Sequence, residues 1–215
     1  MVSVNPRKQT IGEEIANAAS HAMACLLAVA SLPILLDFAA RKGEAAEVVG
    51  VGVFAVTMIL LYLVSALYHA LPPGPAKAWL HRLDHAAIYL FMAGSTMPFA
   101  LGLLQDGAGW AVILLVWVAA GLGMVVKLAG ALRHRVWSTT WYVAMGWLAL
   151  MATAPLLERI GDTGLTWLAA GCAAYTVGAV VFLFDDRMRY GHLVWHLLVM
   201  LGSACHVLAV IGQAA

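Results

Sequence analysis

The chain has 215 residues, of which 63% are hydrophobic and only 11% are charged. Its mean hydropathy is +0.89. Soluble domains average about 45–50% apolar and about 25% charged residues, so the composition is that of an integral membrane protein. The formal net charge is +1, and no dense basic run interleaved with aromatics points to a nucleic-acid partner, so none is expected.

The apolar stretches are continuous and rich in Leu, Ala and Val, and lack the alternation of a membrane β-barrel. A helical span needs about 20 apolar residues, which leaves room for roughly seven with short loops and no separate soluble domain. The fold class is therefore all-α, a single seven-helix transmembrane bundle over residues 1–215. The expected spans are about 15–40, 47–71, 83–104, 108–130, 136–157, 164–184 and 190–213.

Thr10-Ile-Gly-Glu13 has the form of a capping box and predicts a short helix leading into the first span. The polar stretch before that span does not read as a cleaved signal peptide. Arg41-Lys-Gly-Glu44 and Pro72-Pro-Gly-Pro75 break the chain after the first and second spans. Gln105-Asp-Gly107, Arg133-His-Arg135, Glu158-Arg-Ile-Gly-Asp162 and Asp185-Asp-Arg187 mark the later breaks. Pro33 and Pro98 lie inside spans and predict kinks, which bundles tolerate. Gly171, Ala174 and Gly178 recur at close helical spacing and predict a tight helix contact. Cys25, Cys172 and Cys205 all fall in apolar runs and read as small core residues, not as a disulfide framework. The eight Trp residues read as interface or packing groups.

The basic residues set the orientation. Nine of the twelve Lys and Arg fall on the side that holds Arg7, Lys8 and the second, fourth and sixth loops; the other three are Arg41, Lys42 and Arg159. The positive side faces the cytoplasm, so the N-terminus is expected inside and the C-terminus outside. The expected location is the bacterial inner (plasma) membrane.

The polar residues then fall into place. His69 ends the second span and has Ser65 a turn deeper on the same face; Asp84 opens the third; His192 and His196 open the seventh. Ser20 and His21 begin the first span on the same side. Each lies within roughly 10 Å of its span's cytoplasmic end, whereas His206 is about 21 Å beyond His192 along the helix. Ionisable groups within spans mark functional sites by default. The His-x-x-x-His pair can chelate one ion, and a third His from the second span leaves a fourth position open, the pattern of catalytic zinc. Asp84 is then placed to take a proton from water, and Ser65 to hydrogen-bond that water or a substrate oxygen. His81, His85 and His134, in or beside basic loops, read as ordinary interface residues.

Four stretches resemble the bacterial hemolysin III family, within the progestin and adipoQ receptor group that includes the adiponectin receptors. They are Gly12-Glu-Glu-Ile-Ala-Asn-Ala-Ala-Ser-His21, Ser65-Ala-Leu-Tyr-His69, Arg82-Leu-Asp-His-Ala-Ala-Ile-Tyr89 and His192-Leu-Val-Trp-His-Leu-Leu-Val-Met-Leu-Gly-Ser-Ala-Cys-His206. The resemblance implies seven helices with a cytoplasmic N-terminus, and Zn2+ held by His69, His192 and His196, with Asp84 and Ser65 beside it. It also implies a ceramidase-like hydrolase acting on an amide or ester of a membrane lipid. Two other functions stand beside this one. A membrane sensor would use zinc structurally, and a cytolytic pore would need a polar stripe that the apolar outer halves of the spans do not supply.

Overall fold

The computed structural model describes residues 7–41, 44–103, 107–131, 135–152 and 161–212. These form seven α-helices: α1 (Ile11–Arg41), α2 (Ala45–Ala70), α3 (Pro75–Leu103), α4 (Gly107–Leu128), α5 (Arg135–Ala152), α6 (Asp162–Phe184) and α7 (Gly191–Gly212). A single 3-10 turn, Asp185–Arg187, joins α6 to α7. There is no strand among the described residues. Five helices are long and apolar enough to cross a membrane: α1, α2, α4, α6 and α7. The breaks expected at 105–106, 133–134 and 158–160 lie outside the described residues.

Two helices start earlier than hydropathy indicates. α1 runs unbroken from Ile11, so the expected lead-in helix and first span are one element. The capping box itself forms: Thr10 N–H donates to Glu13 Oε2 (2.9 Å), and Glu13 N–H donates to Thr10 Oγ1 (3.3 Å). α3 begins at Pro75, ahead of its apolar stretch. Proline suits the first helical turn because its φ is preset and its missing N–H would be unsatisfied there anyway. The extra turns are polar, which is why an apolar-run reading truncates them. Pro33 and Pro98 are inside α1 and α3, as expected.

Of the five helices long and apolar enough to cross a membrane, α2 is the most enclosed, with half of its most apolar window buried. Its Phe54, Ala55, Leu61 and Tyr62 pack with Leu35 of α1 and with Tyr89 and Ala93 of α3. Large apolar side chains cover the outside instead, among them Leu26, Ile34, Leu114, Trp137 and Leu201. So much exposed apolar surface is stable against lipid and not against water. The α6–α7 contact runs through the small residues: Gly171, Ala174 and Gly178 are buried. A Cβ on Gly171 would lie 2.6 Å from His206 Nδ1, so this close approach needs glycine. All three cysteines are free thiols.

Candidate metal centre

α2 ends, and α1, α3 and α7 begin, at one end of the bundle, together with the α6–α7 turn. There His69, His192 and His196 each offer one ligand atom within 4.8 Å of the others. His69 and His196 are buried, at 2% and 0% exposure. The ring centroids are 5.1 Å (His69–His192), 5.0 Å (His69–His196) and 4.7 Å (His192–His196) apart.

The partners of each ring fix which nitrogen is free. His69 Nδ1–H donates to Glu14 Oε2 (2.8 Å) and His192 Nδ1–H donates to Asp185 Oδ2 (2.5 Å). An ionised carboxylate only accepts, so in both rings the proton sits on Nδ1. His196 Nδ1 meets Ser20 Oγ at 3.2 Å. Ser20 gives its own hydrogen to the Asn17 carbonyl (2.8 Å), so its oxygen is left to accept from His196 Nδ1–H. All three Nε2 atoms are buried without a hydrogen-bond partner. Buried polar atoms are normally satisfied. Three histidines whose ligand atoms lie close together, each with a hydrogen bond on Nδ1, are what a metal-binding set requires.

The supporting carboxylates are themselves held. Glu14 pairs with Lys77 Nζ at 2.9 Å. Asp185, 5% exposed, accepts from Arg135, whose Nη1 also lies 3.3 Å from Asp186. The start of α7 lies against this turn because residue 191 is glycine: a Cβ there would be 2.6 Å from the Asp185 carbonyl oxygen. Tyr190 adopts φ 59°, a left-handed conformation uncommon for a side chain of its kind. Its N–H donates to Glu13 Oε1 (2.8 Å). Arg7 grips the same Glu13 carboxylate and donates to the Met188 carbonyl (3.1 Å). Its guanidinium is raised above its ordinary value, mainly by the Glu13 hydrogen bond. The segment before α1 is thereby tied to the turn that carries Asp185.

Of the other expected site residues, Asp84 and Ser65 are both buried, at 3% and 0% exposure. Asp84 is not among the residues whose ligand atoms converge; its Oδ2 lies 3.8 Å from His85 Nδ1. His21 stacks on His196 with centroids 3.5 Å apart and planes 8° from parallel. His206 lies apart from the triad, with its Nδ1–H on the Gly202 carbonyl (2.9 Å) and its ring beside Tyr175. Glu14, Ser20 and Asp185 are the supporting groups that the spacing argument did not assign. Asp185 sits in a loop signal, and Glu14 shares its helix with better-marked residues.

Two cavities meet this centre. A polar one of about 490 Å³ is lined by His192, His85, Arg82, Lys127 and Arg135 among others. An apolar one of about 210 Å³ runs between α3, α5, α6 and α7, with Phe91, Phe99, Leu168 and Val199 in its walls. His21 and Asp84 also line the apolar cavity.

The family profile described as "Haemolysin-III related" matches residues 9–207. The chain is 39% identical over 196 residues to Hemolysin-3 of Bacillus cereus, covering 91% of this chain and 89% of that protein. It is 38% identical over 195 residues to the Hemolysin-3 homolog of Bacillus subtilis, covering 91% of both. The human monocyte to macrophage differentiation factor is 25% identical over 213 residues, covering 94% of this chain and 85% of that protein. No solved structure matches the chain.

Proposed function

We propose that this chain, which belongs to the haemolysin-III-related family, is a zinc-dependent hydrolase of membrane-lipid amides or esters. One observation carries the reading: His69, His192 and His196 each bring a ligand atom within 4.8 Å of the others, and each keeps a buried, unpartnered Nε2 while its Nδ1 is committed elsewhere. Three histidines with a further position left to water or substrate are the donor set of catalytic zinc sites. A zinc ion held by His69, His192 and His196 supplies Lewis acidity, which polarises a carbonyl and makes water nucleophilic at neutral pH.

The chain's own residues supply the rest. Asp84 accepts the proton from the attacking water and returns it to the leaving group. Ser65, one turn before His69, hydrogen-bonds the water or the substrate oxygen. The apolar cavity receives one acyl chain and the polar cavity receives the headgroup. The reactive bond then lies at their junction, beside the triad. All seven helices cross the membrane in this reading, with the N-terminus in the cytoplasm and the centre opening towards the inner leaflet of the bacterial plasma membrane.

Elemental analysis of purified native protein and His196→Ala tests the site first. About one zinc per chain in the native protein, lost in the variant, is the expected result; well-folded native protein without metal removes the reading. Asp84→Asn then tests the chemistry. It is expected to keep zinc and lose turnover of lipid amides and esters, and undiminished hydrolysis excludes Asp84 as the base.

A second reading, a sensor with structural zinc, is favoured by the triad's position across α2 and α7. It predicts a zinc-dependent melting temperature with no lipid hydrolysis in either leaflet.

A further inference from the structure

His21 is the largest polar expense that the metal centre leaves unexplained. It is 2% exposed, and neither ring nitrogen has a hydrogen-bond partner. It is not among the three residues whose ligand atoms converge. Its ring packs on aromatic neighbours: His196 stacks on one face with centroids 3.5 Å apart, and Tyr62 meets it at 69° with centroids 5.1 Å apart. These contacts hold the ring plane and leave the in-plane nitrogens unused. Burying an unpartnered imidazole is unfavourable unless something else completes its hydrogen bonds.

The apolar cavity supplies the place for that partner, because His21 lines it. His206 lines it too, but that ring already donates from Nδ1 to Gly202. At about 210 Å³, the space is smaller than the roughly 300–1,000 Å³ of drug-sized pockets. Its apolar walls suit a narrow chain.

We propose that His21 binds the carbonyl end of a single-chain lipid lying in this cavity, its ring N–H donating to the carbonyl oxygen. The proposal rests on the reading that the cavity holds an acyl chain, but not on hydrolysis or on bound metal. His21 is thus a substrate-binding residue beside the triad, held in plane by stacking on a metal-ligating ring. The second ring nitrogen is open to accept from an amide N–H, a hydroxyl or a water.

The test uses chelator-treated, detergent-solubilised protein, so that no turnover occurs. Displacement of a bound pyrene-labelled alkane is measured with N-methyldodecanamide and with tridecane, which fills the same space without a carbonyl. Native protein is expected to bind the amide about tenfold more tightly than the alkane, the value of one hydrogen bond of ordinary strength. His21→Phe keeps an aromatic ring against His196 and is expected to bind the two equally. A native-like preference in His21→Phe, or no preference in native protein, overturns the proposal. Should His21→Phe fail to fold, His21→Gln decides. It keeps a donor and an acceptor, so a retained preference supports the proposal and equal binding overturns it. Hydrolysis by zinc-loaded protein is read separately. An intact His21-dependent preference with no turnover removes only the hydrolase reading; turnover in His21→Phe with native KM removes only this one.

Discussion

Asp185→Asn is the substitution that tests the metal centre without touching a ligand. The Asp185 carboxylate accepts from His192 Nδ1–H at 2.5 Å and from Arg135. Asparagine keeps the shape and one acceptor but removes the charge that makes the first bond charge-assisted. Hydrogen bonds to charged groups contribute about 1.5–3 kcal/mol, against about 1 kcal/mol for neutral ones. The difference weakens the hold on the Nδ1–H tautomer and lowers the basicity of Nε2. Losses of supporting partners typically cost 10–100-fold in metal affinity, about 1.4–2.7 kcal/mol. Arg135 keeps Asp186 at 3.3 Å, so the turn is not left with an uncompensated cation. The assay is competition for zinc against a calibrated chromophoric chelator, with the melting temperature of metal-free protein followed in parallel. The expected result is a zinc Kd raised at least tenfold with the fold retained. A Kd within threefold of native would refute the argument that Asp185 orients His192.

Glu14→Gln acts on His69 in the same way, but Glu14 is partly exposed and shared with Lys77; its expected effect on the zinc Kd is about tenfold, the low end of that range. Gly191→Ala puts a Cβ 2.6 Å from the Asp185 carbonyl oxygen, a backbone atom that cannot rotate away. It is expected to displace the turn and lower zinc content in elemental analysis, and full occupancy would count against a tight coupling of turn and ligand. Gly171→Ala overpacks the α6–α7 contact against His206; a destabilisation of about 1–3 kcal/mol with unchanged zinc content is expected in thermal unfolding. Thr10→Ala removes the capping hydroxyl, which donates to Glu13 Oε2 and accepts from Glu13 N–H. About 1 kcal/mol of stability is the expected loss, read as a small drop in melting temperature.

The helical membrane class was legible in the sequence because hydropathy acts through composition and length, which no tertiary detail alters. The triad was legible because His192 and His196 are one turn apart on a single helix and His69 ends another at the same end of the bundle. The start of α3 was not, since its first turns carry Lys77, His81 and Arg82 and are helical without being apolar. The supporting groups were harder still. Asp185 reaches His192 through a 3-10 turn and a glycine-permitted close approach, and Glu14 reaches His69 across 55 residues of chain. Neither contact has a periodicity. The roles of His21 and His206 carry no such signal either; both are buried, and the unpartnered ring nitrogens of His21 separate the two.

The two halves of the centre follow opposite physical logic, and together they explain why it sits at the end of the bundle. Orienting two of the three imidazoles by carboxylates requires charge, and charge is tolerated only where Lys77 and Arg135 can reach the carboxylates from near the water. The acyl chain of the proposed substrate would require the reverse, an apolar cavity continuous with the membrane-buried helices. A site in mid-bilayer would strand Glu14 and Asp185; a site in a loop would lose the cavity. His196 stands on the boundary, with Ser20 on one ring nitrogen and His21 stacked against its face. In the proposed hydrolase, moving the polar and apolar requirements apart by even one helical turn, about 5.4 Å, would separate the lipid's reactive bond from the attacking water.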